Sequence, residues 1–203
     1  MITLYGITRS RALRCLWMLE ELGLEYRREL VAQADVKNPD YLKINPNAHI
    51  PALDDNGLIL FESLAINLYL ADKYAEQAGT GLWPKTAEDR GRCYQWSIWA
   101  MTELEGPALE VLQHRALLPE DKRDAGAAQK AEQRLAKPLG VLNAALAERP
   151  YLLGDAFTVA DLNVSSVANW VERAKVPLAP YPKMEDWLKR CMERPTFRQA
   201  LKA

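Results

Sequence analysis

The sequence predicts a mixed α/β domain followed by an all-helical one. Through about residue 78, short strand patterns interleave with helical patterns, whereas beyond Gly79 no convincing strand pattern recurs. Between the two, GTGLWPKT (residues 79–86) carries two glycines and a proline, the composition of a linker. With 203 residues, 49% of them hydrophobic, the chain holds enough apolar material for one large core or two small ones.

Taken in order, ITLYG (2–6) reads as a strand. The segment from Ser10 to about Leu22 reads as a helix, because Ala12, Cys15, Leu16, Leu19 and Leu22 recur at helical spacing and Gly23 then stops it. YRRELV (26–31) alternates as a strand, and Pro39 suits the first turn of a short helix in PDYLKIN. PALDDNGLILF (51–61) holds two short strands around Asp55, Asn56 and Gly57, the signature of a tight hairpin. Glu62 to Gln77 is a helix that is apolar around most of its circumference, as expected of one covered on two sides.

In the second half, Glu88 to Leu118 reads as one long helical stretch with a bend expected at Gly106-Pro107. Residues 125–147 form another, with Leu135, Leu139, Leu142 and Leu146 on one stripe and a kink expected at Pro138. Two or three shorter helices follow, starting near Thr158, Pro182 and Pro195.

Composition removes several function classes. Lys plus Arg is 26 and Asp plus Glu is 27, without the basic stripe that neutralises a phosphate backbone, so nucleic acid is not an expected partner. No apolar run approaches the roughly 20 residues that cross a bilayer, and Met1 leads straight into a strand. A soluble, cytoplasmic protein without a membrane partner is the expectation. Cys15, Cys93 and Cys191 are odd in number and form no CxxC pair, and the only histidines are His49 and His114. Neither a disulfide framework nor a structural metal is expected.

Five segments could carry chemistry. Ser10 precedes a helix, where a serine ordinarily caps backbone N–H groups; together with the helix N-terminus it could instead hold an anion such as a thiolate. In NPNAHIPAL (45–53), Pro51 forces Ile50 into extended geometry, so the Ile50 backbone could pair with an extended peptide, or Pro51 could merely break the chain before an edge strand. In FES (61–63), Glu62 and Ser63 open a helix, either as capping residues or as partners of an ammonium and a carboxylate. Thr158 and Asp161 in FTVADL have capping-box spacing, with Phe157 and Leu162 placed for a hydrophobic staple, and are read as structural. Lastly, Trp96, Trp99, Ala100 and Glu103 share one helix face, where core packing competes with an apolar substrate wall.

The order of these pieces is more specific than any one of them. LYG and SRALR, the NPxxxIP segment, ES at a helix start, TxAD in a helical half and the final YPKMEDWLKRCMERPTFRQAL together resemble the cytosolic glutathione transferases, almost end to end. The resemblance implies a thioredoxin-like glutathione-binding domain over 1–78, an all-α substrate-binding domain over 86–203, and a homodimer. It implies conjugation of glutathione to small hydrophobic electrophiles, with organic-peroxide reduction as a side activity, and no cofactor besides glutathione as co-substrate. A non-catalytic binding or assembly module and a glutathione-dependent isomerase or dehalogenase are the alternatives. Ser10, four residues before Arg14, matches the catalytic serine that donates to the glutathione sulfur in theta-like members. Ile50, before the expected cis-Pro51, would pair with the cysteinyl unit; Glu62 and Ser63 would hold the γ-glutamyl head. His49, where many members carry lysine, would reach the glycyl carboxylate. The second-substrate pocket is assigned to Trp96, Trp99 and Glu103. Ala48 departs from a common glycine and Ala12 from a frequent proline, Thr8 is the alternative hydroxyl donor, Tyr5 is disfavoured because it lies within the strand, and Cys15 is read as core.

Overall fold

A computed structural model describes residues 1–203 and divides them into two compact units: Met1–Trp83 with Arg194–Ala203, and Pro84–Glu193. The sequence partition leaves residues 194–203 with the helical domain; the structure packs them with the first unit. The reason is a buried anchor, since Arg194 and Thr196 bond the Glu21 carboxylate and Phe197 meets the Trp17 ring edge-on at 4.9 Å.

In the first unit the order is β1 (Ile2–Tyr5), α1 (Ala12–Glu21), β2 (Tyr26–Glu29), α2 (Pro39–Leu42), β3 (Ala52–Asp55), β4 (Leu58–Phe61) and α3 (Ser63–Tyr74). The sheet order is β2-β1-β3-β4, with β1 parallel to β2 and the other two pairs antiparallel. Leu4 lies opposite Leu53, and both are buried on one face with Ile2; α1 adds Cys15, Leu16, Met18 and Leu19 to that core.

The hairpin turns on Asn56 and Gly57, both at positive φ (54° and 95°), as a two-residue turn matched to strand twist requires. Its last β3 residue, Asp55, is buried and accepts from the Tyr69 and Tyr74 hydroxyls at 2.7 Å each and from Lys73 Nζ at 2.6 Å. Burial by itself would push this carboxyl up; the three donors of α3 outweigh it and hold it at about 2.

The second unit contains α4 (Ala87–Trp99), α5 (Glu105–Leu112), α6 (Ala125–Ala145), α7 (Val159–Arg173) and α8 (Pro182–Met192); α9 (Pro195–Lys202) returns to the first. The expected irregularity near Gly106-Pro107 falls one turn earlier, as a π-helical turn over 100–104 that joins α4 to α5. Pro107 lacks an N–H and crowds the carbonyl four residues back, at Glu103, and the wider turn holds that residue. A second π turn follows over 113–117. Pro138 lies within α6, and Leu135, Leu139, Leu142 and Leu146 are all buried.

At the start of α7 the capping box is present. Asp161, fully buried, accepts from the Thr158 N–H and hydroxyl at 3.0 Å, from Leu152 N–H at 2.8 Å and from Trp187 Nε1 at 2.9 Å. Burial pushes its carboxyl up against the pull of these four donors.

Candidate functional site

The site is assembled where β1 ends. Gly6 has φ 141°, and a methyl group on its Cα would stand 2.9 Å from Ala12 Cβ, 3.4 Å from Ile50 Cβ and 3.8 Å from Pro51 Cα. Only a residue without a side chain lets the turn before α1 and the Ile50-Pro51 segment close on the end of β1.

The turn after Gly6 places Ser10. The helix starts at Ala12, two residues later than the sequence suggests, because the Ser10 hydroxyl makes a local turn of its own. Ser10 Oγ donates to the Ile7 carbonyl at 2.6 Å and accepts from the Ala12 N–H at 3.1 Å. The same oxygen therefore closes a local turn before the Arg11 cap and is a donor whose proton rests on a backbone carbonyl. Thr8 is committed as well: Oγ1 donates to the Ala203 carbonyl at 3.4 Å and accepts from Arg28 Nη2 at 3.3 Å. Tyr5 is half-buried in β1 with its ring 6.4 Å from that of Tyr41; burial, then the Asp54 and Glu29 charges, push its phenol up.

The second wall is the segment from Asn45 to Pro51. Asn45 is buried, with Oδ1 accepting from the Asn47 N–H at 3.1 Å and Nδ2 donating to the His49 carbonyl at 2.7 Å, which also accepts from the Tyr41 hydroxyl at 2.6 Å. Two donors on one carbonyl orient the next residue, Ile50, whose bond to Pro51 is cis. The β1–β3 ladder begins at Ala52, so the backbone of Ile50 lies just outside it. Ala48 has φ 53°, the left-handed region that a glycine would occupy without strain. The His49 side chain is exposed.

The third wall is the start of α3. Glu62 is exposed with φ 70° and ψ 103°, and its side chain makes no capping bond. A non-glycine residue held there stores on the order of 1–3 kcal/mol, a cost often found where a ligand is bound. Ser63 is buried, and its Oγ accepts from Arg14 Nη1 at 3.4 Å; Asn67 Nδ2 donates to the Arg14 carbonyl at 3.2 Å, and Cys15 Sγ lies 3.5 Å from the Ser63 carbonyl. Arg14, 2% exposed, thus ties the serine turn to the helix that starts at Ser63.

Ser10, Ile50-Pro51 and Glu62-Ser63, separate in sequence, are therefore at one end of the sheet, next to the row formed by Tyr5, Ala52 and Phe61. Residues 1–72 match the family model for the glutathione S-transferase N-terminal domain, and residues 107–195 match that for the C-terminal domain. The chain belongs to the glutathione S-transferase family. It is 34% identical to glutathione S-transferase 3 of Zea mays over 218 residues, covering 100% of this chain and 94% of the relative. It is also 34% identical to the disulfide-bond oxidoreductase YfcG of Escherichia coli, covering 99% of this chain and 94% of that one. Among solved structures, a theta class glutathione S-transferase from Xanthomonas axonopodis pv. citri with glutathione bound superposes with a TM-score of 0.88 at 30% identity, covering 100% and 97% of the two chains. The sheet-containing unit is the family's thioredoxin-like domain, and the other is its helical domain.

In the helical domain, Trp99 and Glu103 line a surface hollow of about 460 Å³ with Gln95, Ile98, Thr102 and Lys137. Trp96 does not line it but meets the Trp99 ring edge-on at 5.1 Å. The shared face expected for Trp96, Trp99, Ala100 and Glu103 is broken by the π turn that starts at Ala100: Ala100 is buried, while Glu103 reaches solvent with Lys137 Nζ at 4.0 Å.

Sequence reasoning missed Arg14 as a bridge and Asn67, which donates to its carbonyl, and it missed Asn45 as the organiser of the proline segment together with Tyr41. The Asn-Pro-Asn run held a signal for Asn45, since asparagine side chains bond backbone two residues on. Nothing local marked Asn67, whose partner lies 53 residues away. Cys15 and Cys93 are buried, and burial pushes both thiols up to about 12.

Proposed function

We propose that this protein is a glutathione transferase that forms the glutathione thiolate beside Ser10 and adds it to small hydrophobic electrophiles, with organic-peroxide reduction as a side activity. The observation that carries the reading is the convergence at Gly6 and Arg14. It brings together one hydroxyl, one backbone edge and one acid-hydroxyl pair, which would meet the cysteinyl and γ-glutamyl parts of a single tripeptide.

The Ile50 backbone, outside the ladder, would pair with the cysteinyl unit. Glu62 would take the γ-glutamyl ammonium, and Ser63, with the buried guanidinium of Arg14 behind it, the neighbouring carboxylate. His49 would face the glycyl carboxylate. The sulfur then lies at the turn before α1, where the hydroxyl of Ser10 turns from the Ile7 carbonyl to donate to it. A free thiol ionises at about 8.5, and each unit of lowering needs roughly 1.4 kcal/mol, the scale of one hydrogen bond to a charged group. The thiolate attacks the electrophilic carbon, the new C–S bond forms, and a halide or similar group departs with the electron pair.

Trp99 and Glu103, backed by Trp96, would supply the electrophile wall from the helical domain, and a second copy of the chain would complete a homodimer. Glutathione is consumed as co-substrate, and no metal or other cofactor takes part. No helix is long and apolar enough to cross a membrane, which suits a cytoplasmic enzyme. A disulfide exchange running through a cysteine of this chain finds no support, because Cys15, Cys93 and Cys191 are all buried, and burial pushes the thiols of Cys15 and Cys93 away from ionisation.

The test is retention on immobilised glutathione combined with turnover of an aryl halide. Ser10→Ala should still be retained and should lose about tenfold in turnover, the scale of one donor to the developing thiolate. Unchanged turnover removes Ser10 from this role; a wild-type protein that does not bind glutathione removes the enzyme reading.

A further inference from the structure

The last residue of α1, Glu21, is placed against ordinary helix chemistry. Its side chain is 4% exposed, and a carboxylate at a helix C-terminus opposes the dipole while burial strips its water. What compensates is a cluster of donors: Trp17 Nε1 at 3.0 Å from its own helix, Arg194 Nε at 2.6 Å and Nη2 at 2.7 Å, and the Thr196 hydroxyl. Arg194 meets both carboxylate oxygens, the bidentate geometry that fixes direction as well as distance.

Three contacts then run along α1 in opposite order to α9. Arg194 and Thr196 meet Glu21, Phe197 meets Trp17, and the Ala203 carbonyl receives the hydroxyl of Thr8. As residue numbers rise along α9 they fall toward the turn that carries Ser10, so α9 lies antiparallel to α1 and touches it from its last residue to the turn before its first. Trp17 is fully buried between the two ends. A helix of ten residues moves as a rigid rod, so a shift or rotation at Glu21 reaches the Ala12 N–H that the Ser10 oxygen accepts from.

We propose that Glu21 is a positioning residue for the glutathione site, clamping α9 along α1 and thereby fixing the turn that presents the Ser10 hydroxyl. The proposal rests on the glutathione-transferase reading. It separates two jobs within that site: Ile50, just before β3, and Glu62 with Ser63, at the start of α3, hold the tripeptide, whereas α9 acts through α1 on how the sulfur is met.

The full-length Glu21→Gln variant tests it, since it keeps the shape and removes the charge. Glutathione affinity should stay within about twofold, while kcat for an aryl halide falls about fivefold, in keeping with the sensitivity of positioned groups to small displacements. The ionisation of bound glutathione, followed by thiolate absorbance against pH, should move upward by about half a unit. Introduced into Ser10→Ala, the same substitution should cause no further loss of kcat, because the positioned group is already gone. Arg194→Gln removes the other half of the pair at a more exposed position and should reproduce the pattern if Glu21→Gln does not fold. An unchanged thiol ionisation, or an equal loss of kcat with and without Ser10, overturns the proposal while leaving the enzyme reading intact. Failure of the unmodified protein to bind glutathione overturns both.

Discussion

Glu62 and Asp161 are both acidic residues at helix starts, and their surroundings are opposite. Asp161 lies three residues into a capping box, fully buried, its oxygens saturated by two backbone N–H groups, an indole and a hydroxyl. Glu62 stands at the cap position of α3, exposed, with its backbone at φ 70° and its carboxylate unused by the helix it precedes. The difference teaches how to sort a polar residue into scaffold or site. Where the protein supplies every partner at ordinary backbone geometry the group serves the fold; where the backbone is held off its preferred region and the side chain is left to solvent, the group is available to a ligand.

The harshest way to probe this contrast is Asp161→Ala. It strands the Leu152, Thr158 and Trp187 donors in the core, and we expect a loss of about 3–5 kcal/mol in chemical denaturation, with glutathione affinity intact in whatever protein remains folded. A loss below 1 kcal/mol would mean that the saturated carboxylate is not the keystone of α7.

Asp55 extends the scaffold side of the comparison to a carboxylate with one oxygen, Oδ2, held by three donors of a single helix. Its folded pKa of about 2 lies below the ordinary value of about 4, so the unfolded chain binds more protons between them. Its contribution is complete above about pH 4 and disappears as pH falls toward 2; Asp55→Asn should flatten that segment of the stability profile and cost about 1–3 kcal/mol at neutral pH, read from denaturation midpoints.

For the site side, Glu62→Ala should leave the denaturation midpoint within experimental scatter while weakening glutathione binding about tenfold by calorimetry, the scale of one charge-assisted bond. A large stability loss with unaltered binding would move Glu62 into the scaffold class. The smallest effect belongs to Ala48→Gly. With φ 53° at that position, glycine should raise the midpoint by an amount equivalent to about 0.5–1 kcal/mol, offset in part by the greater freedom of glycine in the unfolded chain.

Legibility in the sequence followed the range of the interaction. The hairpin at Asn56-Gly57 and the capping box at Thr158 were readable because their determinants lie within four residues of one another. The start of α1 was misplaced by two residues because a serine side chain can compete with the helix for the same backbone groups. The π turn at 100–104 escaped because a hydrophobic pattern read at 3.6 residues per turn has no term for a wider one. Arg14 and Ser63 were each visible as residues, yet their bond joins positions 49 apart.

What the sequence alone determined is the order of elements, the two-part organisation, and the family, because helix caps, turn residues and apolar periodicity act locally and the motifs are read in order. What only the tertiary structure decided is which of those residues meet and which are already taken: Gly6 as the point of closure, the Ser10 proton resting on Ile7, and a final helix that returns from the far end of the chain to brace the first. Those outcomes depend on packing between segments distant in the chain, and the energy of such a contact depends on partners that no local pattern names.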